Sequence, residues 1–253
     1  MLIKTLTTDK LTTYIYDTRA EMGEAAACAA ADAINAVIAQ KGCANVIFAA
    51  APSQNETLSC LLKKDVDFTK VNAYHMDEYA GLCIDDEQSF ARYLFDHVFS
   101  LAPFKSVNYI PAGGDADEAC ESYAKQLRDN PPDVVCMGIG ENGHIAFNDP
   151  PVADFCDPKL VKKVALDDIC RMQQVHDGCF PTFDDVPKYA LTLTVPALMS
   201  AKHLICTVPA PTKADAVCAM LTGEVGEACP ATALRRHDSA KMFLDRDSGS
   251  KVL

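Results

Sequence analysis

A chain of 253 residues with a net charge of −12 is long enough for one large α/β domain and too acidic to hold nucleic acid or an anionic membrane nonspecifically, so an anionic ligand would need a local basic pocket. No stretch reaches the roughly 18 uninterrupted apolar residues of a transmembrane helix, and the N-terminus lacks the layout of a signal peptide, which points to a cytoplasmic protein. The twelve cysteines form no C-x-x-C pair and no cluster at zinc spacing, so they read as small buried hydrophobes in a reducing compartment and call for no metal.

Residues 1–16 begin with alternating apolar and polar positions and predict a small strand near an edge. An Ala-rich run over 17–41 has helical periodicity, with Asp17 or Thr18 as its cap and Gly42 as its stop. Residues 46–51 read as a buried strand, and Pro52 to Glu56 turn into a helix reaching about residue 64, the first half of a βαβ unit. The next strand is 71–75. A helix follows that carries Phe90, Tyr93, Leu94, Val98 and Phe99, and after Gly113-Gly114 another covers 115–128. The central strand is 133–137, set off by Pro131-Pro132. Residues 150–187 show weak periodicity and are expected to be an irregular excursion, the kind of loop that serves as a lid or binding loop. Alternation resumes at 190–196, followed by a short helix near 197–200, a strand at 202–208, helices over 211–221 and 230–236, and a last strand at 240–245. With no repeat or linker, the reading is a single α/β domain over 1–253: a doubly wound, mostly parallel, Rossmann-like sheet with helices on both faces.

The central strand runs into Gly138, Gly140 and Gly143, the spacing of a dinucleotide fingerprint. That motif needs a helix opening at its third glycine, and Pro150 and Pro151 leave no room for one. His144, flanked by Asn142 and Asp149, instead places an imidazole beside a carboxylate, a proton-transfer pair.

Four loops at strand carboxyl ends carry polar groups: Ser53, Gln54 and Asn55; Asp77 and Glu78; Asn142 through Asp149; and Thr212 and Lys213. In an open parallel sheet such loops share one edge. Taken singly, Ser53 is an ordinary N-cap and Lys213 a solvated lysine. Together, at two helix starts, they form a place for a phosphate ester. Asp77 and Glu78 are expected to point apart, so that one of them meets substrate.

The segments His75-Met76-Asp77-Glu78-Tyr79-Ala80-Gly81-Leu82, Gly143-His144-Ile145-Ala146-Phe147-Asn148-Asp149-Pro150 and Val186-Pro187-Lys188-Tyr189-Ala190-Leu191-Thr192 resemble, in order and spacing, the glucosamine-6-phosphate deaminase family, which is related to the 6-phosphogluconolactonases. The resemblance implies conversion of an amino-sugar 6-phosphate and water to fructose 6-phosphate and ammonia without metal or organic cofactor. It implies that His144 moves a proton at the ring oxygen, that Asp77 shuttles one between C2 and C1, and that Ser53, Gln54, Asn55, Gly143 and Lys213 hold the substrate. Lactonases of the same fold typically carry Arg where Tyr79 stands and lack the Phe147-Asn148 pair. Against the family pattern, Asn142 replaces an Asp, Asp149 replaces a Glu, and Ala51 to Asn55 replace the usual phosphate loop. Arg171 is the nearest counterpart of a family arginine. A lactone hydrolase and a non-catalytic sugar-phosphate sensor are the alternatives, and a homo-oligomer is compatible with the resemblance.

Overall fold

The computed structural model describes residues 1–253. The N-terminal alternation forms a hairpin rather than one strand: β1 (Leu2–Thr8) and β2 (Leu11–Tyr16) pair antiparallel around a turn in which Asp9 takes φ 52°. In β2 the period of two buries Leu11, Thr13 and Ile15. α1 (Arg19–Lys41) starts where the Thr18 side chain accepts from the Glu21 amide and stops where Gly42, at φ 84°, donates to Ile38. By length and composition α1 is apolar enough to cross a membrane. Here its small Ala26, Ala27 and Ala30 are fully buried in an apolar core shared with Val46, Phe48 and Ile205 of the sheet.

β3 (Ala44–Phe48) leads through a 3-10 turn (Pro52–Gln54) into α2 (Asn55–Leu61), then β4 (Val71–His75), β5 (Asp77–Tyr79) and α3 (Phe90–Leu94), which continues into a π-helical turn (Phe95–Phe99). β6 (Ser106–Asn108), α4 (Ala116–Asp129), β7 (Val134–Met137), β8 (Val161–Ala165), α5 (Asp168–His176), β9 (Tyr189–Leu193) and α6 (Val195–Met199) follow. The chain ends with β10 (His203–Val208), a 3-10 turn (Pro211–Lys213), α7 (Ala214–Thr222), a 3-10 segment (Pro230–Arg236) and β11 (Ala240–Leu244). Eight strands form the main sheet in the order β1-β2-β11-β10-β7-β3-β4-β6, parallel at every pairing except β1 with β2. Helices α1 to α3 share one apolar core and α4, α6 and α7 the other, so the sheet is covered on both faces. From β3 the chain winds outward to β4 and β6, then returns to β7 and winds the opposite way to β10 and β11. The order reverses between β3 and β7, which opens a crevice at their carboxyl ends.

The expected excursion at 150–187 is a correction. It contains β8 and α5, and β8 joins β5 and β9 in a second, antiparallel sheet of order β5-β9-β8. Neither element advertises itself. β8 buries Val161 and Val164, three apart, with lysines between them, so it lacks the alternation of a strand. α5 is inverted: Cys170, Arg171, Gln173 and Gln174 are buried while Ile169 and Met172 face solvent.

Candidate active site

A pocket of about 600 Å³, counted out to open solvent, occupies the crevice at the switch point. Its walls come from the segments after β3 (Ala49 to Gln54), after β4 (Met76, Asp77) and after β7 (Gly138, Ile139, Gly140 and His144), from Lys213, and from α5. The four loops singled out by sequence therefore do converge on one edge, although not every residue in them reaches the pocket.

His144 is held from behind. Its Nδ1 lies 2.8 Å from Asn142 Oδ1 and 2.9 Å from Asp149 Oδ1. Two acceptors facing one ring nitrogen place the proton on Nδ1 and leave Nε2 free. Asn142 binds the loop together, its Oδ1 also accepting from the His144 amide at 3.0 Å and its Nδ2 donating to Asp149 Oδ1 at 2.9 Å. Burial works to raise the pKa of Asp149, and the hydrogen bond and charge of His144 overcome it, leaving the carboxyl below its ordinary value. Asn142 and Asp149 do not line the pocket. The ring packs flat on Gly140, where a Cβ would overlap Cε1, Nδ1 and Nε2 together. The glycines thus serve close packing, and no helix follows Gly143. Ala146, two residues after His144, is held at φ 48°, a strained left-handed conformation for a residue with a side chain.

Asp77 sits in β5, on the second sheet, where its backbone pairs with Thr192. The two sheets are joined at this point. The Leu193 amide donates to Met76 O at 2.8 Å, the Thr192 hydroxyl accepts from the Phe147 amide at 3.1 Å, and Asn148 Nδ2 donates to Leu193 O at 2.8 Å. Asp77 is 7% exposed and opens onto the pocket, and burial, with a smaller push from Glu78, raises its pKa well above the usual carboxylate range. Glu78 points away, as expected for adjacent residues in a strand. Its carboxylate accepts from the Tyr79, Phe90 and Ala91 amides at 2.9, 3.0 and 2.8 Å, and burial raises its pKa to about 7 against those bonds.

Lys213 lies at the end of the 3-10 turn after β10, delivered by Ala210 at φ 84° and ψ 149°, a region ordinarily left to glycine. The lysine is 5% exposed, lines the pocket, and its Nζ has no hydrogen-bond partner. Burial depresses its pKa despite the opposing pull of Asp177 and Glu141. Ser53 and Gln54 line the same wall, Gln54 Nε2 donating to Ser53 Oγ and to Thr207 O at 3.2 Å each. Gly138 makes room for that amide, since a Cβ there would stand 2.9 Å from Nε2.

Three expected ligand residues lie elsewhere. Asn55 is exposed and engaged with the Tyr93 hydroxyl, outside the pocket. Gly143 has both polar atoms committed, its amide to Gly140 O at 3.0 Å and its carbonyl to Ala231 at 2.8 Å. Arg171 is buried against the Phe183 ring, 3.9 Å from its centroid, and donates to Phe183 O and Val186 O at 2.8 and 2.9 Å, so it anchors the chain after α5. Gln173, Gln174, Asp177 and Cys179 line the pocket and were missed with α5. The signal available was Asp167, whose side chain caps that helix by accepting from the Cys170 amide at 2.7 Å.

An oriented imidazole, a buried carboxylate of raised pKa and an unpaired buried cation at the switch point of a doubly wound sheet define an acid–base site for a small anionic ligand. The chain belongs to the family described as glucosamine-6-phosphate isomerases/6-phosphogluconolactonase, whose sequence profile matches residues 17–243. It is similar to a glucosamine-6-phosphate deaminase of Bacillus cytotoxicus, 33% identical over 85% of this chain and 80% of that protein. One of Listeria innocua is 35% identical over 81% and 87%. A solved structure of a monomeric glucosamine-6-phosphate deaminase superposes with a TM-score of 0.86 at 29% identity, covering 94% of this chain and 99% of that one. The 6-phosphogluconolactonase of Trypanosoma brucei, at 18% identity and a TM-score of 0.78 over 99% and 100%, shares the fold.

Proposed function

We propose that the protein is a cytoplasmic enzyme that isomerises and deaminates an amino-sugar 6-phosphate, glucosamine 6-phosphate or a near relative, to the ketose phosphate and ammonia. The observation that carries this reading is the buried Lys213 Nζ, unpaired at the wall of a pocket that also holds Asp77 and His144. A buried charge without a partner is costly, and a phosphate would supply the partner.

In this reading His144, its Nδ1 proton held by Asn142 and Asp149, moves a proton at the ring oxygen through Nε2 and opens the pyranose to the aldehyde. Asp77 takes the C2 proton, made acidic by the adjacent carbonyl, to give an enolamine, and returns it to C1. The resulting C2 iminium adds water and expels ammonia. A base of raised pKa suits this step, because its conjugate acid must give the proton back. Ser53 and Gln54 complete the anion wall with Lys213. All of these groups come from one chain, so a homo-oligomer is not needed to complete the site.

The test is incubation with glucosamine 6-phosphate, galactosamine 6-phosphate and 6-phosphogluconolactone, with ammonia, ketose phosphate and acid followed together. Equimolar ammonia and ketose phosphate are expected. Acid release from the lactone without ammonia from any amino sugar would establish the hydrolase instead, and binding without turnover would establish a sensor.

A further inference from the structure

Behind the imidazole, ligand atoms of His144, Asp149 and Cys170 all lie within 4.8 Å of one another, and all three residues are buried. Cys170 is 0% exposed and Asp149 1%. One carboxylate oxygen, Asp149 Oδ2, has no hydrogen-bond partner. The single amide of Asn142 is shared between Asp149 at 2.9 Å and Asp167 at 3.3 Å, and no lysine or arginine pairs with either acid, although the buried Lys213 is close enough to Cys170 for the charges to interact. Thiol, imidazole and carboxylate are the donor set of zinc, whose bonds of about 2.0–2.3 Å bring tetrahedral ligands about 3.5 Å apart. The cluster would need to contract by about 1 Å, with the ion replacing Asn142 Oδ1 as the partner of Nδ1.

We propose that this cluster is an inhibitory site for a soft divalent cation, Zn²⁺ or Cd²⁺, held by His144 Nδ1, Asp149 and Cys170 Sγ. The ligands bind as thiolate, neutral imidazole nitrogen and carboxylate, so capture of one ion releases the Cys170 thiol proton, while the single ring proton of His144 moves from Nδ1 to Nε2. The metal then takes the place of the proton that Asn142 and Asp149 hold on Nδ1, and the imidazole can no longer cycle its charge at Nε2. The route in is the pocket, which His144 lines. Binding itself stands apart from the deaminase reading, whereas the inhibition rests on it.

Chelator-treated protein is titrated with Zn²⁺ by calorimetry, and with Co²⁺ by absorption, alongside the Cys170→Ser variant. Cys170 does not line the pocket, and a serine hydroxyl can replace its thiol as a donor to Asp149, so the variant is expected to keep its turnover. One ion per chain, a thiolate-to-cobalt charge-transfer band on the parent that Zn²⁺ abolishes, and at least about 10-fold weaker binding by Cys170→Ser are expected. Turnover of the parent falls in proportion to occupancy and returns with chelator, and Cys170→Ser escapes at the same Zn²⁺ concentration. Equal affinity in both proteins, or a cobalt complex on the parent without the thiolate band, overturns the site. Tight, thiolate-dependent binding with undiminished turnover overturns the inhibition alone. If no amino-sugar phosphate is turned over, the calorimetric and cobalt arms still decide the metal site, and the deaminase reading fails separately.

Discussion

Gly140→Ala tests whether the imidazole position is the determinant of turnover. Gly140 does not have a positive φ, so the backbone tolerates a side chain there, but the added Cβ would overlap three atoms of the His144 ring at once. Restoring an ordinary separation of about 3.5 Å displaces the ring by about 1 Å or more. The bonds from Nδ1 to Asn142 and Asp149, now 2.8 and 2.9 Å, would then pass the limit of a hydrogen bond. A misplacement of this size costs about 10²-fold in rate, and the steric strain costs about 1–3 kcal/mol of stability, a fall of several degrees in Tm. Because Lys213 and Ser53 are untouched, KM should stay within about threefold. The assay is ammonia release from glucosamine 6-phosphate with kcat and KM separated, plus a thermal melt to show that the variant is folded. A folded variant whose kcat stays within about threefold of the parent refutes the idea that the glycine exists to seat the ring.

Asp77→Asn should keep substrate binding and lose about 10²–10⁴-fold in kcat, as expected for removal of a general base. The same variant should melt higher than the parent above about pH 5. A carboxyl whose folded pKa is raised binds more protons in the folded than in the unfolded state, so its stability contribution is lost as pH rises, and the gain from Asn should vanish toward pH 4. An unchanged Tm difference across that range would contradict the buried, unpaired state of the carboxylate. Lys213→Met should raise KM with little effect on kcat and abolish competition by inorganic phosphate, with isothermal binding of phosphate as the direct check. Asp149→Asn should depress kcat and shift the pH profile, because the imidazolium loses its one adjacent carboxylate, while Asn142→Asp should be tolerated. Full activity with an unaltered profile in Asp149→Asn would reduce that carboxylate to a structural part of the loop.

What could be read in the sequence was set by burial pattern. β4 was placed at its observed residues because Val71, Ala73 and Tyr74 keep a strand's alternation although Asn72 and His75 are polar, and α1 because Thr18 and Gly42 mark its ends. β5, β8 and α5 were illegible because each buries polar with apolar groups or breaks its period: Asp77 and Glu78 are buried beside Tyr79, lysines separate Val161 and Val164, and Arg171, Gln173 and Gln174 are buried beside Cys170. The site followed the same rule. Strand-end loops disclosed Asp77, His144 and Lys213, but a position in a loop does not fix where a side chain points. Gly143, Asn55 and Arg171 stand near the site in sequence, yet their polar groups are engaged with the protein itself.

The base lies in the second sheet and the imidazole in the loop that leaves β7 of the main sheet, and Thr192 touches both sides: its backbone pairs with Asp77, and its hydroxyl receives the amide of Phe147, three residues past the imidazole. The spacing between the two proton-transfer groups is therefore a property of a joint between two stiff plates. Substitutions along β8 or β9 can alter that spacing without touching a substrate-facing group, so the balance between ring opening and carbon deprotonation can drift through residues that carry no chemistry. Thr192→Val, nearly equal in shape but lacking the acceptor, isolates the joint. It should slow the two steps unequally, seen as a changed isotope effect for substrate deuterated at C2. An unchanged isotope effect with unchanged kcat would mean that the plates are held by their other contacts.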